Sequence, residues 1–213
     1  MIRKSLGNFL MLLGVILIGG ALGLTAYNIY EQNRAEANAE RAFAFLTSII
    51  LEVKDVNQEE DHSLEEQMEI PDYILNPEMD MPLQEVDGIA YVGYLTIPVL
   101  DLELPVISET NLRNLKQAPC RYTGSVYLNN LVIGAHNYAR HFGKISDLLQ
   151  GDKVYFTDMD GNRFSYQVAD FEVLKPQQAE ELTNSGWDLT LYTCTLSGQT
   201  RFTVRCEIIK NNI

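Results

Sequence analysis

Between Lys4 and Glu31 the chain runs for 26 residues without a charge. The apolar centre of that run, Phe9 to Tyr27, approaches the roughly 20 residues a helix needs to cross a bilayer. It predicts a transmembrane helix within residues 1–30. A cleaved signal peptide is the alternative, but its apolar core ordinarily covers only about 7 to 15 residues and ends in a small-x-small site. Here the core is longer, and Ala21-Leu22-Gly23 is a weak match. Arg3 and Lys4 precede the run and acidic residues follow it, so the bias of positive charge toward the cytoplasm puts the N-terminus inside and the rest outside. Tyr27 and Tyr30 fall at the outer interface.

The remaining charge divides the chain. Of the net charge of −13 on 213 residues, nearly all comes from residues 51–90, which hold one base and thirteen acids. Such a surface, with no run of basic residues in the sequence to override it, repels phosphate backbones and argues against nucleic acid as a partner. Residues 31–51 are rich in Ala, Glu, Arg and Leu and extend the helix beyond the membrane. Residues 55–69 are acidic, lose hydrophobic periodicity and predict a flexible spacer that contains His62. The stretch Ile70 to Asp87, with three prolines among Tyr73, Ile74 and Leu75, predicts extended chain packed on a domain. Its acids lack a fixed ligand spacing, so they read as a solvated surface rather than a cation site. Three regions result: 1–30 cytoplasmic tip and anchor, 31–87 a helical and then acidic extracellular stalk, and 88–213 the folded domain.

From Gly88 onward the chain holds eight short runs rich in Val, Ile, Tyr, Phe and Thr: AYVGYLTIP, ELPVI, GSVYLN, LVIGAH, KVYFTD, RFSYQVADFEVL, LTLYTCT and RFTVRCEII. Asp160-Gly161-Asn162 between two of them is a hairpin signal. Helical pieces are confined to Asn111–Gln117, Phe142–Leu149 and Gln177–Leu182. The spacing predicts an all-β barrel or sandwich, between which periodicity does not choose.

Three cysteines form no disulfide framework. Cys120 and Cys206 read as small buried hydrophobes. In RFTVRCEII, alternation puts Phe202, Val204, Cys206 and Ile208 on one face, and Arg201, Thr203, Arg205 and Glu207 on the other. Cys194 closes the strand Leu189–Thr193, and Arg201 opens the next strand after a short link. Antiparallel pairing would set a cation beside the thiol. His136 leaves the strand Leu131–Ala135, while His141 begins the predicted helical piece and reads as a cap or a solvated side chain. A cation lowers a thiol pKa and holds an oxyanion, and an imidazole shuttles protons, so the three together would form a thiol acyl-transfer site.

Thr190-Leu191-Tyr192-Thr193-Cys194 resembles the TLxTC signature of sortases, the membrane-anchored cysteine transpeptidases of Gram-positive bacteria. His136 in GAHN and Arg201, seven residues past Cys194, resemble that family's His and Arg. The resemblance covers about residues 88–210. It implies an eight-stranded β-barrel behind an N-terminal transmembrane helix, with no cofactor and no metal required for the bond chemistry. It further implies a thioacyl intermediate on Cys194, His136 as general acid and base, Arg201 on the substrate carbonyl, and Thr190, Leu191 and Thr193 in substrate binding. The implied substrates are secreted proteins with a C-terminal LPxTG- or NPxTN-like sorting motif, and the acceptor is a peptidoglycan-precursor amine or a pilin lysine. The helical N-terminal extension is similar to class B, whereas the link from Leu174 to Trp187 is short for that class, which leaves a class B-like or unassigned sortase. Two other readings stand beside it: an anchored, non-catalytic β-barrel binding module, and an L,D-transpeptidase. The latter keeps His and Cys in one short run, whereas His136 and Cys194 are 58 residues apart.

Overall fold

One helix, α1 (Ile2–Glu59), occupies the first quarter of the chain. The computed structural model describes residues 2–59, 70–184, 186–195 and 197–210. At 1.5 Å per residue α1 is roughly 87 Å long, and its first half exposes Phe9, Leu10, Leu17, Leu22 and Leu24 on all sides. That half is long and apolar enough to cross a membrane. The second half behaves differently. Ala35, Ala39, Ala42, Leu46 and Ile50 recur every three or four residues and are buried, as an amphipathic stripe requires. Ala42, Leu46 and Ile50 pack on Tyr91, Ile107 and Cys120, and Phe43 meets Tyr94 edge-on at 5.3 Å. The helix predicted as a stalk thus lies along the wall of the domain. Residues 60–69 of the predicted spacer, with His62, fall outside the described residues.

Chain from Ile70 onward is packed on the domain through a one-turn helix, α2 (Asp72–Leu75). Tyr73 stacks on Tyr127 at 4.8 Å, and Met81 is buried. Nine strands follow among the described residues: β1 (Gln84–Val86), β2 (Ile89–Ile97), β3 (Leu102–Ile107), β4 (Cys120–Thr123), β5 (Leu131–Ala135), β6 (Lys153–Asp158), β7 (Arg163–Leu174), β8 (Leu189–Cys194) and β9 (Arg201–Ile208). Their order is β1-β2-β3-β4-β5-β8-β9-β7-β6, and β6 pairs back with β2. Strands β2 to β9 therefore close an eight-stranded barrel, and β1 is a short addition hairpinned onto β2. The Gly88 boundary read from the sequence falls inside that hairpin. Closure leaves the eight strands without a free edge apart from the flanks, and their inward residues, Val92, Leu95, Ile133, Phe156, Leu191 and Val204 among them, fill the interior.

Seven of the eight predicted strand runs form barrel strands. GSVYLN does not. Gly124 has φ +79° and residues 126–129 form a turn, held by Asn130 Oδ1 accepting from the Ser125 N–H at 2.9 Å. Val126 and Tyr127 look strand-like because they are apolar, yet they enter the core from that turn. The place in the barrel is taken by β4, Cys-Arg-Tyr-Thr, whose mixed polarity hid it. The helical pieces shrink to α3 (Leu112–Leu115), capped by the Asn111 side chain, α4 (Ala179–Thr183), and a 3-10 turn at Ile145–Asp147. The β6–β7 hairpin forms as predicted. Buried Asp158 accepts from the N–H groups of Asp160 and Asn162 and from the Tyr127 hydroxyl, which fixes Gly161 at φ +80°.

Candidate active site

Three neighbouring strands build the site. β5 and β8 run parallel with Ala135 opposite Thr193, and β8 and β9 run antiparallel with Cys194 opposite Arg201. His136 and Cys194 each lie one residue beyond the Ala135–Thr193 pair, so His136, Cys194 and Arg201 form a single row at one end of the barrel. Side chains alternate along a strand. Ile133, Leu191 and Val204 point inward, which puts His136, Cys194 and Arg201 together on the outer face. The Thr193 hydroxyl donates to the Ala135 carbonyl at 2.9 Å and pins β5 to β8 beside the row.

The row rests on an aromatic floor. The next outward position of β8 is Tyr192, whose ring lies across Gly134 of β5: a Cβ at Gly134 would come within 2.4 Å of its Cζ. Glycine is needed there for close approach, not for a special backbone angle. The Tyr192 ring meets Tyr122 edge-on at 5.7 Å, and the Arg201 guanidinium stands 5.9 Å from its centroid. The β8–β9 link turns tightly, with Thr195 and Thr200 bonded through backbone and side chains. This turn sets the Cys194–Arg201 register.

All three cysteines are free. Burial pushes the thiols of Cys120 and Cys206 up to about 12, which keeps them protonated and inert. Cys194 is exposed, and beside it opens a cleft of about 440 Å³. Phe142, Phe202, Asn137, Ser146, Thr193 and Ser197 line it with Cys194. A short extended peptide fits such a mixed apolar and polar lining. Thr193 is thus the one residue of the predicted binding set on the cleft. Thr190 lies under Arg205, and Leu191 is in the barrel core. Phe142 and Phe202 carry no distinctive signal in the sequence; they come from a loop and from the apolar face of β9.

His136 is half-buried. Burial first, and then the Lys116 ammonium, lower its pKa from 6.5. Among the described residues no hydrogen bond joins its imidazole to Cys194; the ring sits 5.0 Å from that of Tyr138. The loop carrying it is wound tightly, with the Tyr138 carbonyl accepting from the N–H groups of His141 and Gly143. Arg140 fastens the loop to α1, reaching Glu36 at 2.6 Å and Glu40 at 3.1 Å.

His141 is neither a cap nor solvated. It is 1% exposed, its ring 5.4 Å from that of Tyr138 and tilted 44° to it, with both ring nitrogens unpartnered among the described residues. Burial and then the nearby His136 lower its pKa to about 4. The unfolded chain, with the ordinary value of 6.5, binds a proton that the native protein resists until about pH 4. This contribution to stability is therefore intact above pH 6.5 and is lost as pH falls through that window, at up to about 1.4 kcal/mol per pH unit. His141→Leu should flatten this part of the stability profile. Denaturant melts of both proteins across the window check it, and parallel profiles would contradict it.

Arg205, placed by alternation on the same face as Arg201, is 1% exposed instead of facing solvent. It bonds Glu172, the Thr190 hydroxyl and the carbonyls of Glu181 and Leu182. The β7–β8 connection with α4 covers this part of the outer face, so Arg205 fastens that connection to the barrel. Four residues away, Arg201 is left half-buried at the row.

The sortase domain profile matches residues 95–209, more than half of the chain, and the chain belongs to the sortase family. It is 29% identical over 115 residues to sortase A of Bacillus anthracis, a match covering 51% of this chain and 54% of that one. The chain thus spans about half the length of this curated relative. Its fold is similar to that of a Clostridium perfringens sortase D5 transpeptidase, with a TM-score of 0.53 and 20% identity over 76% of this chain and 99% of the other. It is also similar to C. perfringens sortase C, solved with the C-terminal cell wall sorting motif, with a TM-score of 0.52 and 23% identity over 76% and 100%.

Proposed function

We propose that this chain is a membrane-anchored cysteine transpeptidase that moves secreted proteins from a C-terminal sorting motif to an amine outside the cell. The observation that supports this is the row of His136, Cys194 and Arg201, set by two strand registers, whose Cys194 also lines the cleft. In this mechanism the Cys194 thiolate attacks the carbonyl of the scissile bond. Arg201 holds the resulting oxyanion, and the His136 imidazolium gives its proton to the departing amine as the thioester forms. The neutral imidazole then takes a proton from the incoming amine as that amine attacks the thioester, and the thiolate is regenerated. Burial, and then the Lys116 ammonium, disfavour the imidazolium that this step requires.

The proposed motif is LPxTG- or NPxTN-like, and the acceptor is a peptidoglycan-precursor amine or a pilin lysine. Thr193 shapes the cleft, while Thr190 holds Arg205 and Leu191 fills the barrel core. In the same proposal residues 1–30 hold the cytoplasmic tip and anchor, 31–87 the extracellular connection, and 88–213 the catalytic barrel. Among its described residues the β7–β8 connection carries only the five-residue α4, which favours an unassigned sub-class over class B.

A fluorogenic sorting peptide, assayed with and without an amine acceptor, tests this function. The native enzyme should transfer the peptide and hydrolyse it slowly without amine. His136→Ala should eliminate transfer, while folded His141→Ala should retain most of it. An active His136→Ala protein, or cleavage indifferent to amine, would count against the mechanism.

A further inference from the structure

The apolar run of α1 ends at Tyr30, and the first charged residue past it already touches the barrel: Glu31 lies 3.5 Å from Lys116 Nζ. Glu31 and Arg34 share a cleft of about 240 Å³ with Arg113 and Lys116. Glu31 to Arg34 is about 4.5 Å along a helix axis. The α3 segment that carries Arg113, with Lys116 just after it, therefore stands within about one helical turn of the end of the apolar run. On α3, Leu112 leaves 81% of its surface exposed, more than Met11 at 71% within the apolar run itself. An exposed leucine flanked by cations has the make-up of an interfacial contact, in which the apolar group enters the acyl boundary and the cations meet headgroup phosphates.

We propose that this rim is a second membrane contact, in which Leu112 inserts at the headgroup–acyl boundary while Arg113, Lys116 and Arg34 bind anionic lipid headgroups. The inference rests on α1 crossing the bilayer, because only then does the rim stand at headgroup height. Charge complementarity and continuity with the apolar run identify a lipid surface as the occupant. The rim has a mechanical consequence for the site. Lys116 is close enough to His136 to disfavour its charge, and Arg140 ties the His136 loop to Glu36 and Glu40, about one and a half and two and a half turns above Glu31. Lipid contact at the rim holds the His136–Cys194–Arg201 row at a short, fixed height above the bilayer.

Full-length protein in lipid vesicles, with Trp187→Phe as background, tests the proposal through single tryptophans quenched by brominated phosphatidylcholine. Leu17→Trp reports the α1 span. Leu112→Trp reports the rim. Leu75→Trp is an exposed control beside the β6–β7 hairpin, at the opposite end of the twelve-residue β7 from the Leu174–Arg201 pair. Expected are strong quenching at Leu17→Trp, clear quenching with a blue-shifted emission at Leu112→Trp, and none at Leu75→Trp. Adding phosphatidylglycerol should deepen the Leu112→Trp quenching, and Arg113→Gln with Lys116→Gln should abolish that increment. Quenching at Leu17→Trp but not at Leu112→Trp would overturn the rim contact and leave the anchor standing. An unquenched Leu17→Trp would overturn the anchor and the rim with it. A phosphatidylglycerol increment that survives the double substitution would overturn the role of the cations.

Discussion

Cys194→Ala should lower peptide cleavage and transfer by about 10⁴-fold or more, because no second thiol can replace the nucleophile. The fold should survive the change. Cys194 is an exposed strand end, so its Sγ adds little to the core. Cys120→Ala and Cys206→Ala remove buried atoms and should cost stability, but the proteins that fold should keep turning over. A thiol-reactive probe gives an independent reading. It should label Cys194 alone in the native protein with a rate that depends on pH, and all three thiols after unfolding. Equal loss of turnover in three folded cysteine variants would remove Cys194 from its role. Absence of native labelling would favour a non-catalytic binding barrel.

The two arginines of β9 should separate cleanly between chemistry and folding. Arg201→Ala is expected to lower turnover by about 10²–10³-fold, the usual cost of losing an oxyanion donor, with an unchanged melt. Arg205→Ala should destabilise the protein by about 1–3 kcal/mol for each buried polar group it strands, while Glu172, 39% exposed, returns to water. It leaves the Glu181 and Leu182 carbonyls, the Thr190 hydroxyl and the Glu172 carboxylate without the guanidinium. Thermal melts and peptide turnover on the same preparations decide the matter. A silent Arg201→Ala beside a folded, inactive Arg205→Ala would exchange the two roles.

Burial is what separates those arginines, and alternation along β9 could not reveal it. Period-two patterning says which face a side chain takes, but not what covers that face. The polar face of β9 is covered at Arg205 by the β7–β8 connection and is half open at Arg201. The same limit explains His141. Its neighbours Arg140 and Phe142 form no consistent apolar pattern, yet the loop packs it against the Tyr138 ring. GSVYLN failed for the converse reason, since Val126 and Tyr127 obtain their burial from a turn and need no ladder.

The sequence by itself determined what depends on near neighbours and residue chemistry: the charge-free run that makes the first half of α1, seven of the barrel strands, the β6–β7 hairpin, and the positions of Cys194, His136 and Arg201 at strand ends. Apolar periodicity, turn residues and charge act over a few residues and can be read directly. Only the tertiary structure decided that β5 pairs in parallel with β8, which brings His136 to Cys194 across 58 residues of chain. It also decided that β6 closes on β2, that Arg205 is buried while Arg201 is not, and that α1 lies against the barrel. Each of these is a contact between segments remote in sequence. Its register and burial follow from shape, hydrogen bonding and the surface each partner offers, which local patterns do not encode.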